Sequence, residues 1–211
     1  QLGSGFIMQW LDGETLGQRI NRAPELADIR PQLARQCGEL LGRIHRLPWQ
    51  NTALADQLPS ITPAELVDQT WEYYRDINVP VPMIDYTWRW LKDNLPVDSR
   101  RTLVHGDFRN GNLMVTAGAG INAVLDWELA HIGDPMRDLG WLCVNSWRFG
   151  NSELPVGGFG HLDDLLAGYE STSGLNVDRQ TLRFWQVFGS FWWAMVILQR
   201  EQAWRTGETP S

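Results

Sequence analysis

Apolar residues recur at helical spacing over most of the chain. Leu33, Cys37, Leu40, Leu41 and Ile44 fall on one face of a 3.6-residue repeat, with Pro31 near its start, and predict a helix from about Arg30 to Leu47-Pro48. Glu14–Ile20 reads as a shorter one, and residues 48–61 as a loop. Thr62-Pro-Ala-Glu65 is a capping box with proline at the first helical position, so a helix should follow to about Ile77. "VPVP" at 79–82 stops it. Ile84, Trp88, Leu91 and Leu95 mark the next helix, closed by Pro96.

The period then changes. Thr102–His105, Asn112–Thr116 and Asn122–Asp126 are short, apolar and partly β-branched, and "AGAG" at 117–120 reads as a hairpin turn between the last two. Helical spacing returns at Met136–Trp147, Leu162–Ser171 and Asp178–Arg205. Near the start, "GFIMQWLDG" at 5–13 is an apolar run closed by Asp-Gly, which predicts a strand and a turn. The expected class is α+β, mostly helical, with one small β-hairpin insert.

Polar residues gather around that insert. His105, Asp107 and Asn112 stand at spacing H-x-D-x-x-x-x-N, and Asp126 and Glu128 follow the second hairpin strand. A hairpin brings its ends together, so Asn112 can face Asp126, with Asp107 on the loop feeding the first strand. Such oxygen ligands suit magnesium. Asn112 and Asp126 would hold the metal, and Asp107, left free, could take a proton from a hydroxyl nucleophile. That division of labour fits phosphoryl transfer, where catalysis is positioning and charge neutralisation. The bland alternative for Asp107 is a turn-capping side chain.

Composition narrows the options. The net charge of −7 disfavours nucleic acid as a partner and mildly suits a cationic or neutral one, or solubility alone. No apolar run reaches the roughly 18–20 residues of a membrane span. No signal-peptide pattern is visible, and Cys37 and Cys143 lack metal-ligand spacing, so buried thiols in a reducing cytoplasm are expected. Seventeen arginines stand against one lysine, Lys92, a bias suggesting a GC-rich bacterial genome.

"HGDFRNGN" (105–112) and "VLDWELAHIGDPMRDLGW" (124–141) resemble the catalytic and metal-binding loops of the aminoglycoside phosphotransferase and choline kinase group, relatives of protein kinases. The resemblance implies the C-terminal lobe of a protein-kinase-like fold. It implies ATP and Mg2+ as cofactors, Asp107 as catalytic base, and Asn112 and Asp126 as metal ligands. Glu128, where many relatives carry a second acid, would reach the metal through water or cap the next segment. "FIMQWLDGETL" resembles the strand and hinge between kinase lobes, with Gln9, Trp10 and Leu11 meeting adenine. On this division, 1–13 is the end of an N-terminal lobe plus hinge. Residues 14–211 form the helical lobe, with the catalytic loop at 105–112 and the metal loop at 126–128.

Such kinases need a lysine that pairs with the nucleotide phosphates. Lys92 lies too far downstream to be that residue. The expectation is therefore a fragment, inactive alone, whose partner is the missing N-terminal lobe of the same protein. Its substrate would be a small-molecule alcohol or amino-alcohol. Arg109 could pair with Asp107, steer an acidic acceptor or brace the loop. Trp192, Trp193 and Trp204 are core on the plain reading of an aromatic helix stripe, or line the acceptor pocket. His105, Asp134 and Asp138 read as structural, Asn110 as a turn residue, and His45 as core. A kinase-like nucleotide-binding module without catalysis, and a magnesium-dependent phosphohydrolase, are the competing functions.

Overall fold

The computed structural model describes residues 9–97 and 100–207. Eight helices and four short strands make up these residues: α1 (Gly17–Arg22), α2 (Leu33–His45), α3 (Ala53–Gln57), α4 (Pro63–Ile77), α5 (Pro82–Asp93), β1 (Thr102–Val104), β2 (Leu113–Thr116), β3 (Gly120–Val124), β4 (His131–Gly133), α6 (Met136–Leu142), α7 (Leu162–Ser173) and α8 (Arg179–Thr206). The predicted mostly helical α+β lobe with a hairpin insert is what forms.

Local chemistry sets several boundaries. The Thr62 hydroxyl accepts from Glu65 N while the Glu65 carboxylate accepts from Thr62 N, starting α4 as a capping box. Asp178 caps α8 by accepting from Gln180 N and Thr181 N. Asn78, in the left-handed region, ends α4.

α2 and α7 approach backbone to backbone. A Cβ placed on Gly38 would collide with the Leu165 carbonyl and lie 2.6 Å from Tyr169 N. Glycine on this face lets the helices close at that distance. On the other side α8 packs on α6 and buries Phe184, Trp185 and Phe188.

The strands form two small antiparallel pairs. β2 and β3 are the expected hairpin, with Leu113 opposite Val124 and a register shift between Met114 and Val115. β1 pairs with β4, Leu103 opposite Ile132, and residues 59–61 line the other edge of β4.

Several expectations need correction. The strand read at 5–13 lies partly outside the described residues. Its remainder, 9–13, is irregular, and pairing begins at Glu14, which bridges to Val115 (Glu14 N to Val115 O, 2.8 Å). The stretch 48–61 contains α3 rather than loop throughout. The helix read over 136–147 breaks after Leu142 into a 3-10 turn at Asn145–Trp147. Both cysteines are buried and free, as expected. No helix among the described residues is long and apolar enough to cross a membrane.

Candidate active site

The loop 105–112 runs from β1 to β2 and is held from below. Phe108 is fully buried and ties the loop into the core. Gly106 has φ +85°, and a Cβ there would collide with the Leu129 carbonyl, so both conformation and space call for glycine. His105 is also buried. Its Nε2 donates to Leu125 O (2.9 Å) and its Nδ1 accepts from Asp107 N (3.1 Å), which fixes the tautomer and props the loop as expected.

Asp138, at the first turn of α6, is the main brace. Its Oδ2 accepts from His105 N (2.8 Å) and its Oδ1 from Gly106 N (2.9 Å). His45 Nε2 adds a third bond to Oδ2 at 3.2 Å. Burial alone would raise the Asp138 pKa. The His45 hydrogen bond and charge, with His105, outweigh it and hold the group below the ordinary carboxylate value. His45 Nδ1 in turn meets the Tyr169 hydroxyl (3.2 Å), whose pKa burial pushes upward. The chain Tyr169–His45–Asp138 thus runs from α7 through α2 to the loop backbone. Sequence reading placed His45 in the core and missed this link.

Nearby, Arg137 is buried and donates to His131 Nε2 (3.1 Å). Burial pushes Arg137 down to about 10, opposed by the charges of Asp138 and Asp107. Burial and the Arg137 charge push His131 down to about 4. Asp134 accepts from Met136 N just before α6 (2.9 Å), a turn bond that fits its structural reading. Burial raises its pKa.

Asp107 is half-buried. Its Oδ1 accepts from Trp141 Nε1 (2.7 Å) and Arg109 Nε (3.1 Å), and its Oδ2 from Asn112 Nδ2 (2.7 Å). Arg109 also lies over the Trp147 ring, 4.6 Å from its centroid. Of its three open roles, the geometry displays pairing with Asp107 and, through Trp147 and Asn110 O, bracing of the loop. Asn110 corrects the turn reading. It is buried, and its Nδ2 donates to Trp147 O (3.1 Å) and Gly157 O (2.8 Å), so it anchors the loop to the segment after α6.

Asn112 is fixed on both sides. Its Nδ2 donates to the Asp107 carbonyl (2.9 Å) as well as the carboxylate, and its own carbonyl accepts from Leu125 N (2.8 Å). That last bond extends the hairpin ladder and places Asp126 just beyond Asn112. Asp126 and Glu128 are exposed, and Asp126 holds φ +64°, which non-glycine residues seldom adopt. Trp127, between them, lies over His105 with ring centroids 4.6 Å apart.

Gln9 and Trp10 are exposed and Leu11 partly so. This segment lies along the hairpin through the Glu14–Val115 bridge and Asn122 Nδ2 to Asp12 O (3.0 Å). Trp192 and Trp193 are half-buried and meet Trp141 edge-on at 5.0 and 6.1 Å, behind the indole that binds Asp107. Trp204, near the end of α8, is exposed. Lys92 sits on α5 and pairs with Asp68 (2.7 and 2.9 Å).

For a metal, the described residues contain no group of three or more His, Cys, Asp or Glu side chains. What they offer is the amide oxygen of Asn112, whose nitrogen is committed to Asp107, and the solvent-facing carboxylate of Asp126. Asn112 is buried and Asp126 faces solvent; oxygen donors of this kind suit magnesium, which keeps several waters and takes few protein ligands.

The model of the phosphotransferase enzyme family, APH, matches residues 3–175. The chain belongs to this family. Among curated relatives, mouse acyl-CoA dehydrogenase family member 10 is 33% identical over 146 residues, 66% of this chain and 13% of that protein. Chicken acyl-CoA dehydrogenase family member 11 is 33% identical over 172 residues, 80% of this chain and 22% of that protein. The chain therefore spans a small part of these relatives. A crystal structure from Ralstonia eutropha JMP134, provisionally named an aminoglycoside phosphotransferase, superposes with TM-score 0.77 at 22% identity, covering 97% of this chain and 65% of that one. The GDP complex of aminoglycoside 2'-phosphotransferase-IIIa gives TM-score 0.65 at 18% identity, covering 91% and 62%. At these identities the likeness establishes the fold: this phosphotransferase-family chain has the mostly helical, kinase-like lobe of those enzymes.

Proposed function

We propose that the protein containing this lobe transfers a phosphoryl group from ATP to a hydroxyl of a small molecule, with magnesium. One arrangement supports the reading above all: the loop carboxylate of Asp107 accepts from Asn112 Nδ2, and Leu125 N, one residue before Asp126, donates to the Asn112 main-chain carbonyl. Asp107 receives three donors, leaving lone-pair capacity on Oδ2 for an acceptor hydroxyl. Trp141 and Arg109 orient the carboxylate, and Asp107 takes the hydroxyl proton as the acceptor oxygen attacks. Asn112 and Asp126 would hold the metal, with Glu128 beside them. Magnesium, when bound, neutralises charge on the nucleotide phosphates. The exposed segment Gln9, Trp10 and Leu11, laid along the same hairpin, would meet the base.

The phosphate-pairing lysine would come from outside these 211 residues, because Lys92 is committed to Asp68 on α5. This lobe alone would then be inactive. The substrate would be a small alcohol or amino-alcohol, and the setting cytoplasmic. Trp192 and Trp193 would act through Trp141 rather than touch the acceptor, unless its pocket extends past that indole.

The test is an acceptor screen on the full-length protein with ATP, GTP and magnesium, read by mass spectrometry. Asp107→Ala should lower turnover by about 10²–10⁴-fold while leaving nucleotide affinity nearly unchanged. Undiminished turnover would remove Asp107 from its role. Nucleotide binding without transfer would favour a silent module, and ATP consumption without a phosphorylated product would favour a phosphohydrolase.

A further inference from the structure

α8 packs through one face and borders a hollow with another. Trp185, Phe188, Gly189 and Trp192 look toward Gly106 and the catalytic loop. Arg183, Gln186, Val187, Ser190 and Ala194 border a separate hollow of about 450 Å³, walled otherwise by the first turns of α5 and by residues 143–148. That volume lies within the range of small-molecule sites. Its floor is apolar and buried, with Ile84, Val144 and Phe191. Its rim is polar and exposed, with Asn145, Arg183 and Ser190.

The charge of the lining runs against that of the chain. With 25 acidic residues and a net charge of −7, the chain nonetheless sets two arginines and no acid around this hollow. Neither arginine has a carboxylate partner among the described residues. Arg148 donates Nη2 to Cys143 O (2.9 Å) and Nη1 to Ser152 O (3.3 Å), which fixes its guanidinium in place. Its Nε is buried with no acceptor at all. A buried guanidinium N–H without an acceptor is uncommon and leaves the Arg148 charge under-compensated at the wall of the hollow.

We infer that this hollow binds a small amphipathic anion, its carboxylate or phosphate between Arg148 and Arg183 and its apolar part on Ile84, Val144 and Phe191. Guanidinium pairs suit both oxyanions, through charge and parallel N–H donors. The site does not depend on the phosphotransfer reading, since none of its argument uses Asp107 or the metal pair. It does adjoin them: the segment 143–148 follows α6, whose Trp141 binds Asp107, and contains Trp147, under Arg109.

Isothermal titration calorimetry on the full-length protein tests the site with four probes of equal chain length: octanoate, octyl phosphate, octanol and octyltrimethylammonium. One or both anions should bind at one site per chain, and the tighter of them identifies the headgroup. Arg183 is exposed and replaceable without disturbing the fold, so Arg183→Gln should weaken anion binding at least tenfold while Arg183→Lys retains most of it. Val187→Trp, which fills the hollow, should abolish binding, with circular dichroism confirming the fold. Failure of both anions to bind, equal binding of octanol or the cation, or unchanged anion affinity in Arg183→Gln and Val187→Trp would each overturn the assignment.

Discussion

Asp138→Asn is the sharpest probe of how the loop 105–112 is held. The native carboxylate is fully buried and faces three donors: His105 N, Gly106 N and His45 Nε2. An amide of the same shape keeps one oxygen and replaces the other with an NH2 group, which sets donor against donor. Hydrogen bonds to a buried charged group contribute about 1.5–3 kcal/mol each, and a buried N–H left unmade is comparably unfavourable. Losing one such bond outright and weakening the others gives about 3–4 kcal/mol, a large share of a typical domain stability of about 5–15 kcal/mol. In urea, with a slope of about 2 kcal/mol per molar, the midpoint should fall by about 1.5–2 M. Hydrogen exchange should locate the damage, with the His105 and Gly106 amides losing protection first. Because the folded pKa of Asp138 lies below the ordinary value of 3.8, its contribution is complete above that pH and is lost as pH falls through the folded value. The gap between wild type and variant should therefore close in strong acid. A midpoint within about 0.3 M of wild type, with both amides still protected, would refute the bracing argument.

Three further outcomes follow from the same geometry. His131 sits at about pKa 4 against 6.5 when unfolded, so the unfolded chain takes up the proton first. Stability should be full above about pH 6.5 and fall by about 3 kcal/mol toward pH 4, and His131→Gln should flatten that slope in urea melts taken across the range. Trp141→Phe removes one of the two donors to Asp107 Oδ1 and should lower kcat about tenfold in the full-length protein with little change in nucleotide KM, read by steady-state kinetics. Asp126→Gly relieves a left-handed backbone worth about 1–2 kcal/mol, so thermal unfolding should show equal or higher stability while phosphotransfer is lost.

The parts of the fold that could be read in advance are those whose cause is local. The capping box at Thr62 and Glu65, the proline breaks and the helical spacing each act within a few residues. The β2–β3 hairpin was legible because "AGAG" separates two β-branched runs. β4 was not: "HIG" has no period of its own, and becomes a strand because β1 offers it a partner. The same rule divides the site. Asp107, Asn112 and Asp126 could be named from spacing because one loop and one hairpin connect them. His45 contacts Asp138 across 93 residues, and Trp141 reaches Asp107 across 34. Such links depend on which helix faces lie against the loop, which a single pattern of apolar residues does not state. Asn110 misled for a related reason: asparagine suits a turn by itself, and only the neighbouring carbonyls of Trp147 and Gly157 make it an anchor.

Burial sorts the site into two kinds of residue. Those that shape the loop, namely His105, Phe108, Asn110 and Asp138, are buried, with their polar atoms largely engaged by protein. Those proposed to do chemistry are half-buried or open: Asp107 keeps part of its carboxylate accessible, and Asp126 and Glu128 face solvent. A reacting group must exchange partners during turnover, so it cannot be fully satisfied inside the protein. A supporting group must not exchange them, and both carboxylate oxygens of Asp138 are engaged. Asn112 stands on the boundary, its nitrogen tied to Asp107 and its oxygen unclaimed, which leaves that oxygen free for the proposed cation.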